Sequence, residues 1–201
     1  MISLTSLRGL VVDSFRRPAD VAGVLIRSDI PMPARWMLLI LVISFSGILS
    51  YLTSLTVGPG PSQFDDALLE MIGQPMVMAG IQLVAVLAGS ALVISIGRLF
   101  GGTGRFEDAL LLMVWTEFLL LLVQGLQLLL VPILPTAAAV LGLAAAFVFL
   151  WMSLQFVRVL HGFDNLIKPV VVVIGAGIGA VLILSVVLSM AGFTPEVPND
   201  L

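Results

Sequence analysis

The sequence predicts an all-α, polytopic membrane helix bundle: five transmembrane helices, N-terminus inside and C-terminus outside, preceded by short amphipathic interfacial helices. Three observations predict it. Of 201 residues, 60% are apolar and 10% charged, far from the roughly 25% charged composition of a soluble domain. Five apolar runs are each long enough to cross the hydrocarbon at about 20 residues per helix. Lysine and arginine fall only on alternate connections, the positive-inside pattern. Mean hydropathy is +1.19, so the membrane part is nearly the whole protein. The absence of cysteine excludes disulfides, thiolate metal sites and thiol catalysis, and a net charge of −3 gives no ground for nucleic-acid binding.

Residues 1–35 read as a cytosolic amphipathic, juxtamembrane segment. Ile2, Leu4, Leu7, Leu10, Val11 and Phe15 recur at near-helical spacing, and Arg8, Arg16, Arg17, Arg27 and Arg35 lie among them. This is the pattern of a helix lying on the bilayer with its arginines toward phosphate. Asp13 interrupts any signal-peptide core, and Arg16-Arg17 leads into Pro18 with no export core, so neither cleavable signal nor twin-arginine export is expected. Pro18 opens a second short helix to about Ile26, and Pro31-Met-Pro33 ends it.

The membrane domain covers 36–193, with spans at about 36–57, 75–100, 109–131, 136–157 and 169–192, then a short external tail over 194–201. Trp36 opens the first span at the interface and Gly58-Pro-Gly-Pro61 closes it. Ser62 to Ile72 carries Phe64, Ala67, Leu68 and Met71 on one face, which suggests a short surface helix capped by Ser62. Pro132-Ile-Leu-Pro135 is the hairpin between the third and fourth spans, since the surrounding apolar run is too long for one crossing. Five spans put all nine basic residues on one side, including Arg98 and Arg105 in the 98–108 turn and Arg158 and Lys168 in the 158–168 loop.

Phe100-Gly-Gly-Thr-Gly-Arg-Phe106, followed by a hydrophobic helix and two more spans, resembles the Yip (Ypt/Rab-interacting protein) domain family of five-span membrane proteins, especially its bacterial members. Phe15-Arg-Arg-Pro18 and Pro31-Met-Pro-Ala-Arg-Trp36 are similar to the lead-in of those sequences. The resemblance implies a five-helix bundle with a cytosolic N-terminus, in a bacterial cytoplasmic (inner) membrane. Eukaryotic relatives act in vesicle trafficking through small GTPases or other membrane proteins, and their Asp-Leu-Tyr-Gly-Pro signature is not present here.

Two clusters carry the candidate chemistry. At the turn, Gly101, Gly102 and Gly104 permit positive φ and a tight reversal, and Glu107 and Asp108 suit the first turn of the next helix. The exposed amides with Arg98, Arg105 and Arg158 form a candidate site for a phosphate headgroup or a partner. Inside the membrane, Glu117 is an acid that needs a partner or a proton. Its own helix offers no complementary charge one turn away, Gln124 shares its face, and Gln82 and Gln155 are the available amides. Together they form a candidate intramembrane polar site. Gly175 and Gly179 have the spacing for close helix packing, inside the bundle or in a homo-oligomer. His161 on the inner loop, even beside Asp164, is expected to be solvated, and no metal, cofactor or catalytic set emerges. The expected role is a non-catalytic membrane scaffold or adaptor that interacts with lipids and other membrane proteins. The competing class is a small transporter or channel using the stripe around Glu117.

Overall fold

The computed structural model describes residues 4–57 and 74–190. They form α1 (Leu4–Arg16), α2 (Pro18–Ile26), α3 (Met32–Val57), α4 (Pro75–Leu99), α5 (Phe106–Leu130), α6 (Pro135–His161) and α7 (Ile167–Met190). Among the described residues there is no strand. The expected surface helix over 62–72 and the tail over 194–201 lie outside the described residues. Helices α3 to α7 are long and apolar enough to cross a membrane. Large apolar side chains such as Leu55, Leu129, Val140 and Ile178 stand exposed on them, as required of a surface solvated by lipid rather than water.

Several helix ends fall outside the spans read from hydropathy, for local reasons. Helix α3 starts at Met32 because Pro33 sits in the first turn, where its missing N–H leaves no bond unmade, and the Pro31 carbonyl accepts from Ala34 (2.9 Å) and Arg35 (3.2 Å). Helix α6 continues past Val157 to His161, so Arg158 and His161 stand on a helix and not in a loop. Nothing between them breaks a helix, and both basic groups suit the negative end of its dipole. Gly162 then stops it at φ +68°, while the Phe163 N–H reaches back to the Arg158 carbonyl at 2.9 Å.

Helix α5 is central, packed against α3, α4 and α6, and α7 closes the bundle through its extensive pairing with α4. Helix α2 packs against α6 and α5. It contributes Val21, Ala22 and Leu25 to the same core as Leu112, Phe156, Val157 and Leu160. A second core joins Leu39, Val42 and Ile43 of α3 to Val86 of α4 and to Leu110 and Val114 of α5.

The starts of α3, α5 and α7 meet the ends of α4 and α6 at one end of the bundle, which gathers Arg35, Arg98, Arg105, Arg158 and Lys168; we call it the basic end. There Arg35 is 6% exposed. Its guanidinium donates to the Asp108 carboxylate at 3.1 Å and, through Nε, to the Ile30 carbonyl at 2.8 Å. One pair thus fixes the α2–α3 connection and the first turns of α3 and α5. Arg35→Leu strands the Asp108 carboxylate and is expected to cost on the order of 3 kcal/mol, read as a lowered Tm in detergent. Arg35→Leu combined with Asp108→Leu should recover most of that loss.

Candidate functional site

The glycine turn at the basic end is built around one histidine. His161 is 2% exposed, whereas the sequence suggested a solvated loop residue; the extension of α6 carries it inward. Its Nδ1 donates to the Val157 carbonyl at 3.2 Å, so in the neutral ring Nε2 is the bare nitrogen. That Nε2 has no hydrogen-bond partner. A Cβ added at Gly97 or Gly102 would fall on the imidazole ring, and one at Gly104 would meet Nε2 at 3.1 Å. Three glycines therefore serve as a socket wall. Only Gly101 uses the conformational freedom expected of the turn, at φ +82°.

Other contacts close the socket. The Thr103 N–H donates to the His161 carbonyl at 3.3 Å. Phe163 stacks on the imidazole with ring centroids 5.2 Å apart and planes 9° apart. Lys168 Nζ lies 5.4 Å from the Phe163 ring centroid and donates to the Phe100 carbonyl at 3.2 Å. The N–H groups of Phe100, Gly101, Gly102 and Thr103 are all spent on carbonyls of residues 97, 98 and 161. An anion at this turn would therefore be met by side chains rather than by those amides. Arg98 reaches the Gly104 carbonyl at 3.4 Å, and Arg105 pairs with Glu107 at 2.5 Å. Arg158 folds back along its own helix onto Gln155 at 3.3 Å.

The intramembrane candidates separate into distinct pairs. Gln82 Nε2 on α4 donates to Glu117 Oε2 on α5 at 2.7 Å. Farther along α5, Gln124 Oε1 accepts from Ser46 of α3 at 3.3 Å. Gln155 is buried but holds Arg158, so it does not join Glu117. The sequence reading missed Gln127, whose amide donates to the Ala138 carbonyl of α6 at 3.2 Å. Gly142 makes the room, since a Cβ there would stand 2.7 Å from that amide nitrogen. It also missed the Trp115 indole N–H, which donates to buried Ser14 of α1 at 2.9 Å. A local signal existed in each case: Gln127 lies one turn beyond Gln124, and Ser14 is a small polar residue on the apolar face of an amphipathic run.

Gly175 and Gly179 point into the bundle, where added Cβ atoms would lie 3.2 Å from Ile96 and 3.1 Å from Leu92 of α4. Between α4, α5 and α6 lies a cavity of about 30 Å³, lined mainly by apolar side chains, with the Thr116 and Ser153 hydroxyls bonded to their own helices. An apolar groove of about 580 Å³ runs between α3 and α4 over Gly47, Ala79 and Gly80.

These contacts set two expectations. Gly97→Ala should lose about 1–3 kcal/mol by overpacking against the ring, whereas Gly97→Ala in a His161→Ala background should be close to neutral relative to His161→Ala alone. Thermal unfolding of the four proteins reads this difference. A double-mutant cycle of Gln82→Ala and Glu117→Ala should show coupling of about 0.6 kcal/mol, the average for hydrogen bonds between membrane helices, and no more than about 1.7 kcal/mol.

No curated protein and no solved structure matches the chain. The Yip1 domain model matches residues 12–192, from the middle of α1 to beyond the end of α7. With five apolar helices in one bundle, this chain is a multi-pass membrane protein that belongs to the Yip1 domain family.

Proposed function

We propose that this protein is a non-catalytic scaffold or adaptor of the bacterial inner membrane, engaging lipids and other membrane proteins through its basic end. In this reading it is a bacterial-type family member, with its N-terminus and basic end cytoplasmic and the 194–201 tail outside. The observation that carries the reading is an imbalance of charge partners. Arg8, Arg16, Arg17, Arg27, Arg98, Arg158 and Lys168 have no carboxylate within 4.0 Å among the described residues, whose two ion pairs use Arg35 and Arg105. Cations left unpaired beside exposed Leu99, Phe100 and Ile167 suit a surface facing phosphate headgroups or an acidic partner. The partners and the possible homo-oligomer belong to this proposal.

One observation favours the transport alternative: Gln82 is the one hydrogen-bond partner of Glu117 among the described residues, so the second carboxylate oxygen is available to a solute. Affinity purification in native-lipid nanodiscs separates the two. Wild type and Glu117→Gln should retain the same proteins and lipids if Glu117 only ties helices together. A solute or lipid held by wild type alone would replace the adaptor with a transporter. Arg98→Gln with Lys168→Gln should release part of the anionic lipid, and unchanged lipid would remove the basic end from the site.

A further inference from the structure

We propose that the elbow between α1 and α2 draws phospholipid headgroups down the α5–α6 face, thinning the leaflet at the basic end on that side of the bundle alone. This goes beyond the adaptor reading and does not rest on it.

The elbow is held deep. Ser14 accepts from Trp115 at 2.9 Å, and Phe15 packs edge-on against Phe149 with ring centroids 6.2 Å apart. Along the helix axes, Trp115 lies ~13 Å from Phe106 and Phe149 lies ~18 Å from His161. Helix α2 covers that same length: it leaves the elbow at Pro18 and climbs α6 to Ile26, and the chain reaches Arg35 through the Ile30 carbonyl. The elbow is therefore well below the basic end of the bundle.

Four charged residues occupy it. Asp13, Arg16, Arg17 and Asp20 are all exposed, and none takes part in an ion pair among the described residues. Each charge in hydrocarbon costs about 2.5–3.5 kcal/mol even on an insertion scale, so headgroups and water must reach this level. Arginine suits the task, since its planar fork pairs with phosphate through two parallel hydrogen bonds.

Across α5, the opposite surface demands the reverse. On α3, Met37 is 70% exposed and Ile40 59% exposed, and both lie within ~8 Å of Arg35 along the axis. The exposed face of α3 runs on apolar through Leu41, Phe45 and Ile48, with no charge in the helix after Arg35, so hydrocarbon covers it. The hydrocarbon edge thus stands near Met37 on the α3 side and falls to the level of Phe149 beside α1 and α2. Below the elbow, Trp115–Leu130 and Pro135–Phe149 leave only ~22 Å of helix each, short of the roughly 30 Å hydrocarbon core. The bilayer must thin there, and the hydrophobic belt of the protein is stepped.

The natural absence of cysteine permits a direct test by single spin labels. Full-length protein carrying Asp13→Cys or Ile40→Cys is labelled in vesicles of phosphatidylcholine and phosphatidylglycerol at three to one, and depth is read by power saturation against oxygen and a nickel chelate. The expected order is inverted relative to the helices. The elbow label, farther from the basic end, should lie at headgroup level, and the α3 label in hydrocarbon. Arg16→Leu with Arg17→Leu in the Asp13→Cys protein should reduce nickel accessibility several-fold. Both labels at headgroup level would mean that the bundle protrudes without a step; both in hydrocarbon would mean that no headgroups descend. Either result overturns the proposal, as does an elbow label indifferent to the leucine pair. The comparison of the two single-label proteins decides the matter even if the leucine variant does not fold.

Discussion

A polar group in hydrocarbon has no water to fall back on, and α5 bonds through its polar side chains to four other helices. Asp108 and Gln124 are answered by α3, Glu117 by α4, Gln127 by α6 and Trp115 by α1. Apolar contact among helices gains little over contact with lipid tails. Directional bonds therefore set which helix stands where and at what height. Shifting α5 by one turn against any neighbour would break a bond that the bilayer cannot replace.

The basic end uses the same economy by steric means. A buried imidazole needs space that side chains would otherwise fill, and Gly97, Gly102 and Gly104 provide it. Phe163 and Lys168 complete the wall from the α6–α7 connection. The turn between α4 and α5, the end of α6 and the start of α7 are thereby locked into one unit. The cations around it remain on the surface, where flexible side chains can meet phosphate.

The bundle was legible in the sequence because its cause is composition: five apolar runs and a lopsided distribution of nine basic residues require little beyond the bilayer as solvent. The need of Glu117 for an amide from another helix was legible too, and Gln82 was among the amides named. Gln155 was less readable, although its spacing from Arg158 on one helix already offered it a nearer partner. The socket could not be read from the turn itself. Glycine signals positive φ and close approach with the same letter, and the group that approaches is far away in the chain. The contact of α1 with the bundle was hidden likewise, since an amphipathic run does not name the helix it packs against; Ser14 against Trp115 and Phe15 against Phe149 show it.

The parts of the histidine socket are also made at different times. Residues 97–104 leave the ribosome before His161 does, so the α4–α5 hairpin can be in the membrane with its recess formed while α6 is still being made. The arrival of His161 then checks the insertion of α6. A helix inserted at the wrong height would leave the ring facing side chains instead of bare backbone. Phe163 and Lys168, made next, supply the last wall of the socket.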